Sequence, residues 1–239
     1  MHSKETEVEK ITDLWVIHGL MGMGKTENLI KEGKKAKEKG KNVLAVFHFF
    51  ELKRQKDKKE KGLYSRNGDF FKADAVKSGS EILEKYKAQK ENDKKPDTVL
   101  IDEGQFFVDD KTLLSSIIKM TSEGTTVKIA GLLHDFLKNG FGPMPELVKK
   151  AEHAFDLPKG NCKMCKKNQA QWMQRLIIEK DKSGNVTKKP AHRCDPIVLV
   201  GKENLYERRC NNCHKIPKCK ENCPNCKKII EQNRKKIEA

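Results

Sequence analysis

One eight-residue stretch near the start of the chain limits its fold more than any other feature. It consists of Gly19, Leu20, Met21, Gly22, Met23, Gly24, Lys25 and Thr26 and matches the phosphate-binding pattern G-x-x-x-x-G-K-[ST]. The apolar run 14–17 before it is typical of a buried strand, and the proline-free stretch 27–39 after it is typical of a helix. This context predicts a loop whose backbone N–H groups hold nucleotide phosphates, with Lys25 at the β- and γ-phosphates and Thr26 on Mg²⁺. The alternative is a glycine-rich turn that contains Gly-Lys-Thr by chance.

A second apolar segment, 98–101, ends in Asp102 and Glu103 and follows a break at Pro96. An apolar strand that ends in acidic residues predicts a Walker B arrangement, with Asp102 beside the Mg²⁺. Glu103 could act as a general base if its side chain faces a substrate cleft. The alternative is a surface turn after a core strand.

Strand-like and helix-like segments alternate through the first two thirds of the chain. Further strands are predicted at 42–47 and 125–132, and further helices at 74–89, 113–120 and 147–155. This alternation predicts an α/β fold, a P-loop NTPase-like parallel sheet flanked by helices, with ligands at the carboxyl ends of the strands.

All eight cysteines lie in the last third of the chain. Two C-x-x-C pairs, Cys162 with Cys165 and Cys210 with Cys213, are 44 residues apart and can bring four thiolates to one tetrahedral Zn²⁺. Since four cysteines would close the coordination shell, we expect a structural zinc rather than a catalytic one. Of the remaining cysteines, the pair Cys223 and Cys226 could compete for the metal, and Cys194 and Cys219 could be free thiols or minor ligands.

The division into a cysteine-free front and a cysteine-rich back predicts the domain organisation. We expect a P-loop α/β domain over residues 1–157, a small zinc-binding domain over 158–217 with strands at 171–179 and 197–200 around a loop at 181–190, and a basic cysteine-containing tail over 218–239.

The chain is strongly basic, with a formal net charge of +16, but only seven of its 50 basic residues are arginine. A lysine-rich surface suits solvation or loose attraction to polyanions and lacks the arginine that bidentate base and phosphate recognition favours. We therefore expect no sequence-specific nucleic-acid binding. No apolar run reaches the roughly 18 residues of a membrane span, and the first ten residues lack the apolar core of a signal peptide, so a cytoplasmic protein is expected.

Taken together, these features resemble the type II, zinc-containing thymidine kinase family. The most specific matching segments are Ile-Asp-Glu-Gly-Gln-Phe-Phe at 101–107, Phe-Gly-Pro-Met-Pro-Glu-Leu at 141–147, and Val-Leu-Val-Gly at 198–201 leading to Tyr-Glu-Arg-Arg-Cys at 206–210. With the paired C-x-x-C motifs, the resemblance extends over about residues 12–217.

The resemblance implies transfer of phosphate from ATP to the 5′-hydroxyl of thymidine, giving dTMP. It assigns the ATP phosphates to 19–26 together with Asp102, Glu103, Gly104 and Gln105, Mg²⁺ to Thr26 and Asp102, and the catalytic base to Glu103. The thymine pocket is implied at Met21, Phe106, Leu132, Phe136, Phe141 and Tyr206. The backbone of Ile197, Val198, Leu199, Val200 and Gly201 is implied to bind the base edge, in a segment (the lasso) that closes over the nucleoside. The structural zinc is implied at Cys162, Cys165, Cys210 and Cys213, with Arg54 near the family's phosphate-side arginine. A homotetramer and feedback inhibition by dTTP are implied as well.

Several residues depart from the family's pattern. Leu20, Gly22 and Met23 replace a proline or serine, an aromatic residue and a small residue in the loop, and Leu52 and Leu133 replace acidic residues. These changes bear on rate and nucleoside selectivity rather than on reaction class. Two other hypotheses stay open: a nucleic-acid-stimulated P-loop ATPase with a zinc ribbon, and a paralogue that binds nucleotide without turnover. The phenylalanines of the implied pocket could each belong to the core instead.

Overall fold

The computed structural model describes residues 9–180, 183–198, 203–217 and 223. They form two compact units. The first contains the residues up to His134 and Gly140–Lys159, and the second contains Asp135–Asn139 and the described residues from Gly160 onward.

The first unit is built on a six-stranded sheet in which every neighbouring pair is parallel. Its strands are β1 (Ile11–His18), β2 (Val43–His48), β5 (Asp74–Val76), β6 (Thr98–Asp102), β7 (Thr126–Gly131) and β8 (Ala151–Asp156). Their order across the sheet is β5-β2-β6-β7-β1-β8. The carboxyl ends of β1 and β6, with β7 between them, therefore lie on the same edge of the sheet.

Helices cover both faces of this sheet. They are α1 (Lys25–Glu38), α2 (Gly79–Glu91), α3 (Thr112–Ser122) and α4 (Met144–Lys150). Leu29 of α1 belongs to one hydrophobic cluster, whereas Ile82 of α2 and Ile117 of α3 belong to the other. Successive residues of β2 alternate between the two clusters, Val46 with α2 and α3 and Phe47 with α1, as the two-residue period of a strand requires.

A small antiparallel hairpin lies between β2 and β5 in the chain and consists of β3 (Gly62–Tyr64) and β4 (Phe70–Lys72). Its Leu63 and Phe71 are buried in the same cluster as α1. An exposed ion pair of 3.0 Å also joins Lys34 of α1 to Asp69 of the hairpin turn. The hairpin is thus a packed part of the first unit.

The second unit contains a three-stranded antiparallel sheet of order β10-β9-β11. Its strands are β9 (Trp172–Lys180), β10 (Val186–Pro190) and β11 (Tyr206–Arg209). Phe136, from the Asp135–Asn139 segment, is 3% exposed, and its ring lies 5.5 Å from the guanidinium carbon of Arg175 on β9.

The structure confirms the predicted fold class, a parallel sheet flanked by helices, but several predicted elements are wrong in part. The helix predicted over 74–89 begins only at Gly79, because Asp74–Val76 forms the strand β5 beside β2. The helix predicted over 147–155 ends at Lys150, and Ala151–Asp156 forms the edge strand β8 beside β1. Pairing with β1, where Trp15 packs its ring against His153 at 4.6 Å, overrides the helical pattern. The predicted loop 181–190 contains β10, which pairs with β9. Of the strand predicted over 197–200, Ile197 and Val198 lie outside any strand, and Leu199 and Val200 lie outside the described residues.

Among the described residues, no helix has the length and apolar character that crossing a bilayer requires.

Candidate active site

The glycine loop joins the carboxyl end of β1 to the start of α1, as the sequence predicts. Gly22 and Gly24 have φ values of 73° and 80°, in the left-handed region that favours glycine. Gly24 is also the residue immediately before α1, so the positive end of this helix is directed at the loop. The loop therefore has the backbone geometry of an anion-binding site.

The Lys25 amine lies over the loop itself. It donates hydrogen bonds to the carbonyl oxygens of Gly19 at 3.1 Å and Leu20 at 3.0 Å. Burial lowers the pKa of Lys25, while Glu103 and Asp102 act in the opposite direction. The amine is thus held at the loop by contacts that phosphate oxygens can replace.

Thr26 and Asp102 meet at the edge of the sheet. The Thr26 hydroxyl donates to Oδ2 of Asp102 at 2.9 Å, although the two residues are 76 positions apart in the chain. Asp102 ends β6 and is 6% exposed, and burial, followed by the charge of Glu103, raises its pKa to about 7. A hydroxyl beside a buried carboxylate is an oxygen donor set that suits Mg²⁺, which would bind the carboxylate in its ionised form.

Glu103 follows directly and has the left-handed φ of 57°, which turns the chain sharply after the strand. Its carboxylate accepts a hydrogen bond from the side-chain amide of Gln105 and lies 3.7 Å from Nη1 of Arg54. Gln105 is fully buried, and its Oε1 accepts the backbone N–H of Leu132 at 2.9 Å. Glu103 is therefore positioned by two side chains, one of which is anchored at the end of β7. Gly104 is buried beside it.

Arg54 also forms an ion pair of 3.0 Å with Glu51 in a short 3₁₀ helix, Phe49–Arg54. The family's pattern has an acidic residue at position 52, which is Leu52 in this chain. Glu51, one position earlier, supplies the acidic partner of Arg54 instead.

The structure adds one residue that the sequence analysis missed. A Cβ atom placed on Gly22 would lie 2.5 Å from Nη1 of Arg66, so this guanidinium packs directly on the phosphate loop. Arg66 belongs to the turn between β3 and β4, which the amide of Asn67 ties to Glu27 of α1 at 2.9 Å. The sequence shows a turn at 65–68, but only the docking of the hairpin brings that turn to the loop.

Four residues of the implied thymine pocket lie in the first unit. Phe106 and Phe141 pack edge to face at 6.0 Å between ring centres, Phe141 is largely buried, and Met21 and Leu132 are partly exposed. Two neighbouring aromatic side chains were not predicted from the sequence. His48, at the end of β2, lies 5.8 Å from Phe106, and Phe50 lies 5.7 Å from Phe106. These side chains form an aromatic cluster at the same edge of the sheet as Asp102.

The other implied nucleoside contacts lie in the second unit. Phe136 is buried against Arg175, Val198 is partly buried, and the Tyr206 hydroxyl donates to the carbonyl oxygen of Ile197 at 3.5 Å. Leu199, Val200 and Gly201 lie outside the described residues.

The second unit also contains the four cysteines of the two C-x-x-C pairs. The sulfur atoms of Cys162, Cys165, Cys210 and Cys213, the first cysteine cluster, all lie within 4.8 Å of one another. Burial raises the pKa of the Cys162 thiol, but backbone N–H groups, that of Cys165 foremost, outweigh it and lower the pKa to about 6. Four converging thiols that include a stabilised thiolate fit a closed, tetrahedral Zn²⁺ site.

The parallel sheet, the glycine loop and the Thr26–Asp102 pair define a P-loop protein of the NTPase-like class. The family model of thymidine kinase matches residues 12–214. The chain therefore belongs to the thymidine kinase family, a family of kinases.

Three solved structures are distantly similar to the chain. A DNA replication initiation factor is 16% identical in sequence, with a TM-score of 0.34. The match covers 60% of this chain and 39% of that protein's chain. AMPPCP-bound DnaA from Aquifex aeolicus is 15% identical with a TM-score of 0.35, covering 62% and 40%. Domain III of the Thermotoga maritima replication initiation protein DnaA is 16% identical with a TM-score of 0.34, covering 60% and 54%. The chain thus matches between 39% and 54% of the length of these proteins, and likenesses of this size carry no functional argument.

Proposed function

We propose that this protein transfers the γ-phosphate of ATP to the 5′-hydroxyl of thymidine, giving ADP and dTMP for DNA synthesis. The observation that carries the proposal is the juxtaposition of the phosphate loop, the Thr26–Asp102 pair and Glu103 at one edge of the sheet in a member of the thymidine kinase family.

In this proposal the loop 19–26 and Lys25 bind the ATP phosphates, and Asp102 to Gln105 complete the site. Thr26 and Asp102 hold Mg²⁺, which neutralises phosphate charge when bound. The oxygen of the 5′-hydroxyl bonds to the γ-phosphorus, and Glu103 accepts the proton of that hydroxyl. The bond between the γ-phosphorus and the bridging oxygen breaks, and that oxygen leaves with ADP. The Gln105 amide and Arg54 hold the Glu103 carboxylate in place for this step.

The nucleoside is proposed to be recognised by apolar and aromatic side chains and by backbone groups. The side chains are Met21, Phe106, Leu132, Phe136, Phe141 and Tyr206, and the backbone groups are those of Ile197, Val198, Leu199, Val200 and Gly201. Stacking and edge contacts with aromatic rings position a flat pyrimidine, while rigid backbone donors and acceptors select its edge. A zinc ion in the first cysteine cluster is proposed to keep the lasso rigid.

The wider expectations belong to the same proposal. They comprise a cytoplasmic location, a homotetramer, inhibition by dTTP and domain limits at 1–157, 158–217 and 218–239.

The test is phosphate transfer from ATP to thymidine, with deoxycytidine, deoxyadenosine and deoxyguanosine as competing acceptors. Wild type should phosphorylate thymidine selectively. Glu103→Gln should lower kcat by roughly 10²- to 10⁴-fold because it removes the base. The matched control is Glu38→Gln, which makes the same change at the exposed end of α1 and should leave kcat unchanged.

Nucleotide binding without transfer to any nucleoside would reject the proposal in favour of a non-catalytic member of the family. ATP hydrolysis stimulated by DNA or RNA would instead support the nucleic-acid-dependent ATPase that the basic charge favours. We expect no such stimulation.

A further inference from the structure

The last residue of β1, directly before the phosphate loop, is a buried histidine. His18 is 9% exposed and pairs in register with Asp156, the last residue of the edge strand β8. Its Nδ1 atom is 3.5 Å from Oδ1 of Asp156, and Oδ2 of Asp156 is 2.8 Å from the amine of Lys159. The Asp156 carboxylate therefore connects the end of β8 to the residue from which the loop starts.

The backbone joins the same two strand ends to the loop. The N–H of Leu157 donates to the carbonyl oxygen of His18 at 2.9 Å. A Cβ atom on Gly19 would lie 3.1 Å from Cβ of Leu157, so the first residue of the loop contacts the residue that follows β8. The carbonyl oxygens of Gly19 and Leu20 are the acceptors that hold the Lys25 amine. The contacts at His18 thus fix the part of the loop to which Lys25 is bound.

Four charged or titratable groups of the first unit act on the His18 ring. Asp156 of β8 favours the protonated ring. Lys159 after β8, His134 after β7 and Lys25 of α1 disfavour it. Burial is the largest effect and, with these three groups, lowers the pKa of His18 below its ordinary value. Without nucleotide the ring is therefore neutral at pH 7 and above.

Nucleotide phosphates on the loop would change this balance of charges. The proposed function places them against the Lys25 amine, one of the cations that act on His18. Their negative charge offsets that cation, so the protonated ring becomes more favourable. A protonated ring 3.5 Å from the Asp156 carboxylate forms an ion pair, which strengthens the contact between β8 and the start of the loop.

We propose that His18 and Asp156 are positioning residues of the phosphate loop, and that binding of a nucleoside triphosphate is linked to the uptake of a proton by His18. This rests on the nucleotide binding of the proposed function, but not on transfer to thymidine. Because binding takes up a proton, the affinity for the nucleotide should rise as the pH falls through the pKa of the ring in the complex. It should level off below the pKa of the ring in the free protein.

The experiment measures binding of a non-hydrolysable ATP analogue to the full chain by calorimetry at pH 7.5 and pH 6, without Mg²⁺. Wild type and His18→Gln are compared at each pH, so that protonation of the analogue and of Asp102 affects both proteins alike. Glutamine can hydrogen-bond but cannot take up the proton, so the loss of affinity relative to wild type should be roughly three- to tenfold larger at pH 6 than at pH 7.5. His153→Gln, an exposed change on β8, is the matched control and should bind as wild type does at both pH values.

A loss of affinity in His18→Gln that is the same at both pH values would overturn the proton linkage. At pH 6 the losses from His18→Gln and Asp156→Asn should be less than additive in the double variant, since each change removes the same ion pair. Additive losses would overturn the pairing.

A second measurement on the wild type alone covers the case in which the variants fail to fold. In an NMR titration, with the His18 ring signals assigned through the backbone resonances, the midpoint should move to higher pH when the ATP analogue is added, and an unchanged midpoint would overturn the proposal. A wild type that does not bind the analogue would overturn it together with the nucleotide binding of the proposed function. Linked binding without phosphate transfer to thymidine would reject the kinase activity and support the linkage.

Discussion

Arg66 packs on Gly22, and this contact is possible because residue 22 has no side chain. A Cβ atom on Gly22 would lie 2.5 Å from Nη1 and 3.2 Å from Cζ of Arg66. Arg66 also contributes to the lowered pKa of Lys25, after burial, so its charge is felt at the amine that the loop holds. Arg66 thus brings a second cation from the β3–β4 hairpin to the phosphate loop. It packs on residue 22, where the family's pattern has an aromatic residue.

We expect Arg66 to contact ATP phosphates through its two guanidinium N–H edges. Arg66→Ala should raise the KM for ATP about tenfold, the equivalent of one lost charge-assisted hydrogen-bond pair, with thymidine KM unchanged. Arg66→Lys should restore only part of the loss because an ammonium group cannot bind two oxygens in a planar fork. Steady-state kinetics with ATP as the varied substrate measures this. Lys72→Ala removes an exposed cation from β4 of the same hairpin and serves as the control, and equal effects at the two positions would refute the phosphate contact.

The raised pKa of Asp102 predicts a pH-dependent metal affinity. Burial raises this pKa to about 7, and Mg²⁺ needs the ionised carboxylate, so binding below pH 7 must release a proton. As the pH rises towards 7, the apparent Mg²⁺ affinity should therefore increase by up to about tenfold per pH unit. Above pH 7 it should level off. Without metal, the contribution of Asp102 to the free energy of unfolding has the opposite pH dependence. It is complete below about pH 4 and is lost as the pH rises to about 7, because the folded chain retains a proton that the unfolded chain releases over this range.

Calorimetric titration of Mg²⁺ into protein with a non-hydrolysable ATP analogue, in buffers of different ionisation enthalpy, counts the released protons once those that the analogue alone releases on binding Mg²⁺ are subtracted. About one proton should be released at pH 6 and almost none at pH 8. Almost no proton release at pH 6 would show that Asp102 is already ionised there.

His48 should make the first unit sensitive to acid. It is 3% exposed among Phe49, Phe50 and Phe107, and burial lowers its pKa to about 4. Because the unfolded chain takes up this proton near pH 6.5 and the folded chain only near pH 4, the stability that the neutral ring supports is complete above pH 6.5. It is lost as the pH falls towards 4, by about 3 kcal/mol at most.

Urea unfolding of wild type and His48→Gln at pH 7.5 and pH 5 tests this prediction. The difference between the two proteins should shrink at pH 5, where only the wild type loses the contribution of His48. His153→Gln alters a side chain that is 47% exposed, and its effect on the free energy of unfolding should be small at both pH values. A difference between wild type and His48→Gln that does not change with pH would contradict the assignment.

Gln105 should link stability and catalysis. Its side chain accepts the N–H of Leu132 and donates to Glu103, and it is fully buried. Gln105→Met leaves the Leu132 N–H without this acceptor, at a cost of about 1–3 kcal/mol in the free energy of unfolding, and frees the Glu103 carboxylate. Gln105→Glu retains the acceptor but places a second carboxylate beside Glu103, so it should preserve more stability while shifting the pH profile of kcat upward. Identical pH profiles for wild type and Gln105→Glu would exclude the contact with Glu103.

The sequence predicted what depends on local pattern and spacing. The glycine loop, the helix after it and the acidic end of β6 are each encoded within ten residues, and the parallel sheet then brings Thr26 to Asp102. The four cysteines of the first cysteine cluster were predictable because their spacing is itself the signal. The roles of these residues in binding and catalysis are still predictions.

Features that depend on packing between distant segments were not predicted. Ala151–Asp156 forms a strand because β1 offers a free edge beside α4, not because of its own pattern. Arg66 reaches the loop because Leu63 and Phe71 bury its hairpin in the cluster of α1, where contacts with Glu27 and Lys34 also hold the turn. No periodicity in the sequence records either relationship.

The short stretch Asp135–Asn139 has a consequence for how the chain is made. It precedes α4 and β8 of the first unit, yet Phe136 is buried against Arg175, which the ribosome adds 39 residues later. A chain halted after Leu157 would therefore expose Phe136 and hold these five residues without their partners. The segment Asp135–Asn139 should consequently reach its mature form late in translation, and fragments that stop before β9 should engage chaperones more than the full chain does.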